Sequence, residues 1–356
     1  MLKRAALCAS TALFFFAPPS DACCPAPPAN QPVMNADQTV ILVWDKETKT
    51  EHFIRRASFE SNADDFGFLV PTPSQPELSE SGDEAFPLFA KITEPEVVKK
   101  ERPSSGGGCC GTMTAAKSAR GGEPEAQSVR VLEQKSVAGF QASVLEASSA
   151  SALVGWLKEH GYELSPAVEA WAKPYVEQKW KITALRVAKD KSAPEPPNAK
   201  HVAAAALRMS FKTDRPLFPY REPAADETGR EMLETRGRLL RIFFVGDART
   251  QASFENKETW PGTVAWAGKI APDVRARALK MLGLPETTAP QSWWLTELED
   301  PWIPKDSDLY FADSTKQDEV RRPPIIEYVK NDAPDGVTYA GLFFLPALAL
   351  RLRRRR

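Results

Sequence analysis

The opening residues, MLKRAALCASTALFFFAPPSDACC, constrain the chain more than any other segment, because they decide which residues enter the fold and where folding happens. Lys3 and Arg4 give a charged start, residues 5–17 an apolar run, and Ala22 ends a small-residue site. These are the three parts of a secretory signal peptide. The run is too short to cross a bilayer as an ordinary helix, and Pro18 and Pro19 stop it. Cleavage after Ala22 is expected, with residues 23–335 folding as an exported body.

An oxidising compartment sets the reading of the cysteines. Cys8 leaves with the leader, and two adjacent doublets remain, Cys23 with Cys24 and Cys109 with Cys110. An even number of cysteines in an exported chain argues for disulfides. Sequence neighbours bridge each other only under strain, so all four are expected to pair between the doublets, in an order the sequence leaves open. A thiolate copper or zinc site is the alternative; it lacks C-x-x-C spacing and a nearby histidine.

Charge narrows the partners. The net charge is -1, yet the last six residues, RLRRRR, carry five positives and the leader one net positive. The body between them is acidic and offers no electrostatic footprint for nucleic acid. Thirty-one prolines against nineteen glycines place many strand ends and stiff loops along it.

The pattern predicts a hairpin from the apolar run at 40–44 and the alternating segment 51–59, in which His52 and Ile54 share one face and Phe53 and Arg55 the other. Phe66, Phe68 and Val70 alternate before prolines 71, 73 and 76 close an edge strand or strand exit. A short helix follows at 83–92, then a glycine-rich loop at 98–127, expected to be a flexible excursion tied down by its cysteines. Residues 128–145 read as two strands split near Ala138 and Gly139.

Leu153, Trp156 and Leu157 have helical spacing between a serine run and Gly161, and Val168, Trp171 and Tyr175 form a second stripe that Pro174 kinks or ends. Strands resume at 180–188, 203–212 and 239–245, the last apolar enough to lie inside a sheet. The fold class is α+β, with antiparallel strands dominating and a helical pair near 148–178. Five of the nine tryptophans, Trp260, Trp266, Trp293, Trp294 and Trp302, follow residue 250. They show no regular exposed spacing, so they read as packing ahead of a carbohydrate platform.

Residues 336–356 form an apolar tail with terminal arginines. Its uncharged stretch, 337–350, makes about 21 Å of helix against about 30 Å of hydrocarbon. Snorkelling arginines extend it toward an N-out anchor, a removable sorting signal has the same shape, and a tail docked on the body is the third reading.

The stretch ADQTVILVWDKETKTEHFIRRASFESNADDFGFLVPTPSQPEL resembles the front of the bacterial domain of unknown function 2330 family, DUF2330. A second block, LRMSFKTDRPLFPYRE, is similar to that family's strand followed by a proline-rich aromatic segment. Phe68 stands where a tryptophan is expected, and the cysteine doublets replace a simple spaced pair. The resemblance implies exported architecture and brings no established activity.

Candidate chemistry is sparse. His52 lies beside Arg55 and Arg56, which oppose a bound cation; His160 falls at a helix C-terminus; His201 has no partner at ligand spacing. Asp64 and Asp65 would point to opposite faces of a strand, and Arg55 and Arg56 do the same, with Glu60 or Asp64 as salt-bridge partners. H-E-x-x-H, G-x-S-x-G, P-loop and dinucleotide patterns do not occur. No catalytic, cofactor-binding or metal-ligating residue is therefore expected, and no cofactor.

The resulting expectation is an envelope-attached binding or structural module with a protein or glycan partner and a membrane-attached tail. The alternative is an exported enzyme acting on cell-wall or polysaccharide substrates through carboxylates, which a cleft of converging Asp or Glu with aromatic walls would favour. A thiol redox or metal-handling protein is the third class.

Overall fold

The computed structural model describes residues 24–26, 38–55, 58–60, 67–101, 128–162, 167–187, 201–203, 206–224, 239–256, 258–301 and 305–329. They fall in two compact units, Met1–Glu94 with Ser118–Arg322, and Pro95–Lys117 with Pro323–Arg356.

The larger unit is α+β and rich in antiparallel strands. Its central sheet has seven strands: β2 (Gln38–Asp45), β3 (Thr50–Arg55), β6 (Glu77–Ser81), β12 (Ala206–Lys212), β14 (Leu240–Gly246), β16 (Thr263–Lys269) and β17 (Trp294–Asp300). Their order is β16-β17-β14-β2-β3-β12-β6. Only β14 and β2 run parallel, side by side in the interior. Both are apolar on two faces, as doubly covered strands must be.

One face of this sheet, carrying Ile41, Val43, Phe243 and Leu295, packs against α1 (Ala85–Ile92) and α4 (Pro272–Met281). The other face, carrying Val40, Leu42, Phe53, Met209 and Phe244, meets Phe68, Phe140, Val144 and Leu185 of a second sheet. That sheet has five antiparallel strands in the order β1-β5-β10-β9-β8. They are β1 (Cys24–Ala26), β5 (Gly67–Thr72), β8 (Val129–Val137), β9 (Phe140–Ala147) and β10 (Lys181–Val187). Its outer face, with Leu145, Ile182 and Ala184, is covered by α2 (Ala150–Glu159) and α3 (Ala167–Glu177). The layers therefore run helix, sheet, sheet, helix, with the outer face of the five-stranded sheet only partly covered.

A three-stranded sheet of β13 (Leu217–Phe218), β15 (Thr250–Phe254) and β18 (Leu309–Asp313) adds Phe218, Phe254 and Phe311 to the core between the sheets. A short pair joins β4 (Ser58–Glu60) to β11 (His201–Ala203).

Two features differ from the sequence expectation. The segment expected as a loop from residue 98 begins as β7 (Val97–Glu101), which pairs in parallel with β19 (Ile325–Val329) in the smaller unit; residues 102–127 lie outside the described residues. Local composition hides such a partner, which lies more than 220 positions away. Pro174 does not end α3, because Tyr175 and Val176 beyond it are buried in the same cluster as Val168 and Trp171. Pro71 stands one residue before the end of β5, and among the described residues the only strand paired beside it is β10, which agrees with the expected edge or strand exit.

Candidate ligand groove

A groove of about 410 Å³ opens on the outer face of the five-stranded sheet, where the helices stop covering it. Gln134, Lys135 and Ser136 of β8, Gln141, Ala142 and Ser143 of β9, Arg186 of β10, and Trp156, His160 and Tyr162 at the end of α2 line it.

Register builds the floor. The β8–β9 turn, Ala138 and Gly139, has φ of 53° and 80°, the left-handed pair that two-residue hairpins use. It sets Ser136 opposite Gln141 and Gln134 opposite Ser143, while Arg186 of β10 pairs with Gln141. One row across the strands thus reads Ser136, Gln141, Arg186, and the Gln134–Ser143 pair lies two residues along. Gln134 Nε2 stands 3.5 Å from Ser143 Oγ.

A bulge between Val131 and Glu133 decides which side chains reach that floor. Before it, Val129 and Val131 pair with Ala147 and Leu145, and Val129, Ala147 and Leu145 join the cluster under the helices while Val131 is exposed. After it the parity of β8 reverses, so Val137 enters the core between the sheets and Gln134 and Ser136 turn outward.

The wall comes from the last turn of α2. Ser149 caps the helix, its hydroxyl accepting from Ala152 N at 3.1 Å. His160 ends it: the imidazole stacks on the Trp156 ring with centroids 3.7 Å apart and planes 15° apart, and Nδ1 donates to the Trp156 carbonyl at 2.8 Å. Gly161 follows at φ +77°, where an added Cβ would stand 3.2 Å from the Arg186 guanidinium. Arg186 Nη1 donates to the His160 carbonyl at 3.3 Å, tying floor to wall.

Tyr162 turns its ring over Gly67, where a Cβ would come within 2.7 Å of it. Burial pushes the Tyr162 hydroxyl up to about 12, against the opposing pull of Arg186, so it stays a neutral hydrogen-bonding group. Lys135 Nζ donates to the Leu78 carbonyl at 2.8 Å. Among the described residues lining the groove there is no Asp or Glu.

The carboxylates sit elsewhere. Glu297 and Glu299, on one face of β17, share Arg322 Nη2 at 2.7 Å each, and Arg241 pairs with both at 3.1 Å. Burial raises the Glu299 carboxyl, but the hydrogen bonds and charges of Arg322 and Arg241 outweigh it and hold the group below its ordinary value. Asp300 accepts from Tyr220 and from the Trp260 indole. Asp308 accepts from the Tyr175 hydroxyl at 2.8 Å and the Arg221 amide at 3.2 Å, and burial still raises its carboxyl. These pairs join elements of the core.

Among the described residues that the sequence offered as candidate chemistry, His160 is the one that lines the groove; Trp156, read there as part of a helical stripe, lines it as well. His52 lies in β3 with Nδ1 2.8 Å from Ser210 Oγ, and burial with the nearby Arg208 charge lowers it to about 4. Arg55 is buried with its guanidinium 4.7 Å from the Phe68 ring centre, a core contact. His201 pairs with Glu60 across β11 and β4, and Cys24 with Leu69 across β1 and β5. Cys23, Cys109, Cys110, Arg56, Asp64, Asp65, Trp302, the leader and the tail lie outside the described residues. Trp266, Trp293 and Trp294 are buried and Trp260 packs against the core, as the packing reading expects. Among the described residues no helix is long and apolar enough to cross a membrane.

Residues 18–309 match the model of a family described as an uncharacterized protein conserved in bacteria, DUF2330. The chain belongs to the DUF2330 family. No curated protein matches this DUF2330 chain. Among solved structures, the crystal structure of baculovirus P35 aligns at 10% identity over 85% of this chain and 99% of that one, with a TM-score of 0.32, too low to carry a structural argument.

Proposed function

We propose that this DUF2330 chain is an exported, envelope-attached binding module that holds a glycan in the groove on its outer sheet. One observation carries the reading: two facing Gln–Ser pairs form a polar floor beside the Trp156–His160 wall. Hydroxyls and amides supply directional hydrogen bonds to sugar hydroxyls, and ring edges and faces take the C–H surface of a pyranose. At about 410 Å³ the groove has the size of a small-ligand site. The carboxylate-dependent enzyme has less support, because Glu297, Glu299, Asp300 and Asp308 are engaged by core arginines, tyrosines or tryptophan outside this groove.

Export and attachment rest on the leader and the tail. The test is co-sedimentation of the purified body with insoluble envelope polysaccharide. Retention of the wild type and its loss in Trp156→Ala with His160→Ala are expected; equal retention of both proteins contradicts the groove as the site.

A further inference from the structure

Which sugars the groove takes follows from the groups on its floor, an argument that rests on the glycan reading above. Both cations in the lining already donate to backbone carbonyls, Arg186 to His160 and Lys135 to Leu78, so they help hold the groove together. The floor beyond them is built from side-chain amides and hydroxyls. Gln134 and Gln141 each present a donor and an acceptor on one terminal group, and each faces a serine across the β8–β9 ladder.

A secondary amide needs that complement, one acceptor for its N–H and one donor for its C=O. A hydroxyl also donates and accepts, but from one oxygen whose O–H rotates, so it does not need a donor and an acceptor held at the fixed spacing of an acetamide N–H and C=O. The two Gln–Ser pairs repeat two residues apart along the strands, about 6.8 Å, so the floor offers two such contact points to one polymer. The rings of Trp156 and Tyr162 supply apolar surface for an acetyl methyl. A peptide also carries amides, but extended peptides are read by backbone ladders at a sheet edge. This floor is a sheet face that offers side chains.

We infer that the groove binds an N-acetylated amino-sugar polymer, with Gln134 and Gln141 reading the acetamido groups. The test is calorimetric titration of the exported body with four probes: the β-1,4-linked tetramers of N-acetylglucosamine, glucosamine and glucose, and an alanine-rich pentapeptide. The N-acetylglucosamine tetramer is expected to bind at least tenfold more tightly than either other sugar. Gln134→Leu with Gln141→Leu should erase that preference, and because Gln134 and Gln141 are exposed the fold is retained, which an unchanged circular dichroism spectrum would verify.

Equal binding of the glucose and N-acetylglucosamine tetramers overturns the amino-sugar inference and leaves the glycan reading standing. Binding of the pentapeptide alone, or of no probe, overturns both. Preference retained in the double variant assigns recognition to other residues and contradicts the role given to the glutamines.

Discussion

Trp156 and His160 stack 3.7 Å apart across one turn of α2, and the proton on His160 Nδ1 goes to the carbonyl of the tryptophan it covers. The imidazole thereby fixes both the ring and the last turn of the helix, and Gly161 then lets the chain turn beneath Arg186. Two side chains at a helix end become a rigid wall over a sheet face.

His160→Ala should therefore loosen Trp156 without unfolding the protein. Because His160 is exposed, the expected stability change is within about 0.5 kcal/mol, while glycan affinity falls about tenfold, the order of one aromatic contact. Paired thermal melts and binding titrations check this; unchanged affinity would remove His160 from the wall.

Neighbours Glu51 and His52 should pull acid stability in opposite directions. Burial raises the Glu51 carboxyl well above 4.5, so the folded state holds a proton that the unfolded chain releases; its contribution is full below 4.5 and is lost as pH rises toward its folded value. His52 is lowered from 6.5 to about 4, so its contribution is full above 6.5 and is lost as pH falls through about 4, up to about 3 kcal/mol. Denaturant titrations should show Glu51→Gln gaining on the wild type as pH rises above 4.5. His52→Gln should gain as pH falls below 6.5. Parallel pH curves for wild type and both variants would contradict the account.

Arg322→Met should cost about 2–3 kcal/mol. Breaking a fully buried ion pair costs about 3–5 kcal/mol; here Glu297 is buried but Arg322 is partly exposed, and Arg241 remains beside Glu297, so the cost is smaller. Adding Glu297→Gln should restore most of the loss, which a double-mutant cycle reads directly. A single variant as stable as the wild type would show that the network contributes nothing.

Peptide mapping under non-reducing conditions should recover a Cys23–Cys24 peptide joined to a Cys109–Cys110 peptide. The first bridge would close about 85 residues, for which chain entropy gives on the order of 4–5 kcal/mol as an upper figure, and the second adds far less. Isolating each peptide with free thiols or an internal bridge would reject the pairing.

Much of the larger unit was legible because period-2 and period-3.6 patterns coincide with burial. The faces of β3 and β12, the turn at Ala138 and Gly139, and the cap of α2 all follow from local residues. The groove was not, for a physical reason: plain alternation from Val129 and Val131 would have kept Glu133 and Lys135 on the outer face and turned Gln134 and Ser136 inward. The bulge reverses that parity, and its one local trace is Leu132, an extra apolar residue beside Val131 that packs toward the core between the sheets. His160 was visible only as a helix end, since its stack with Trp156 needs the side-chain geometry. The parallel pairing of Val97–Glu101 with Ile325–Val329 depends on a contact between distant segments that no local pattern encodes.

The most direct test of the proposed glycan groove is amide hydrogen exchange on the purified protein with and without the N-acetylglucosamine tetramer. Slowed exchange is expected in residues 134–143, 156–162 and 184–187 alone. Protection elsewhere, or none in those segments at a concentration that saturates binding, would contradict it.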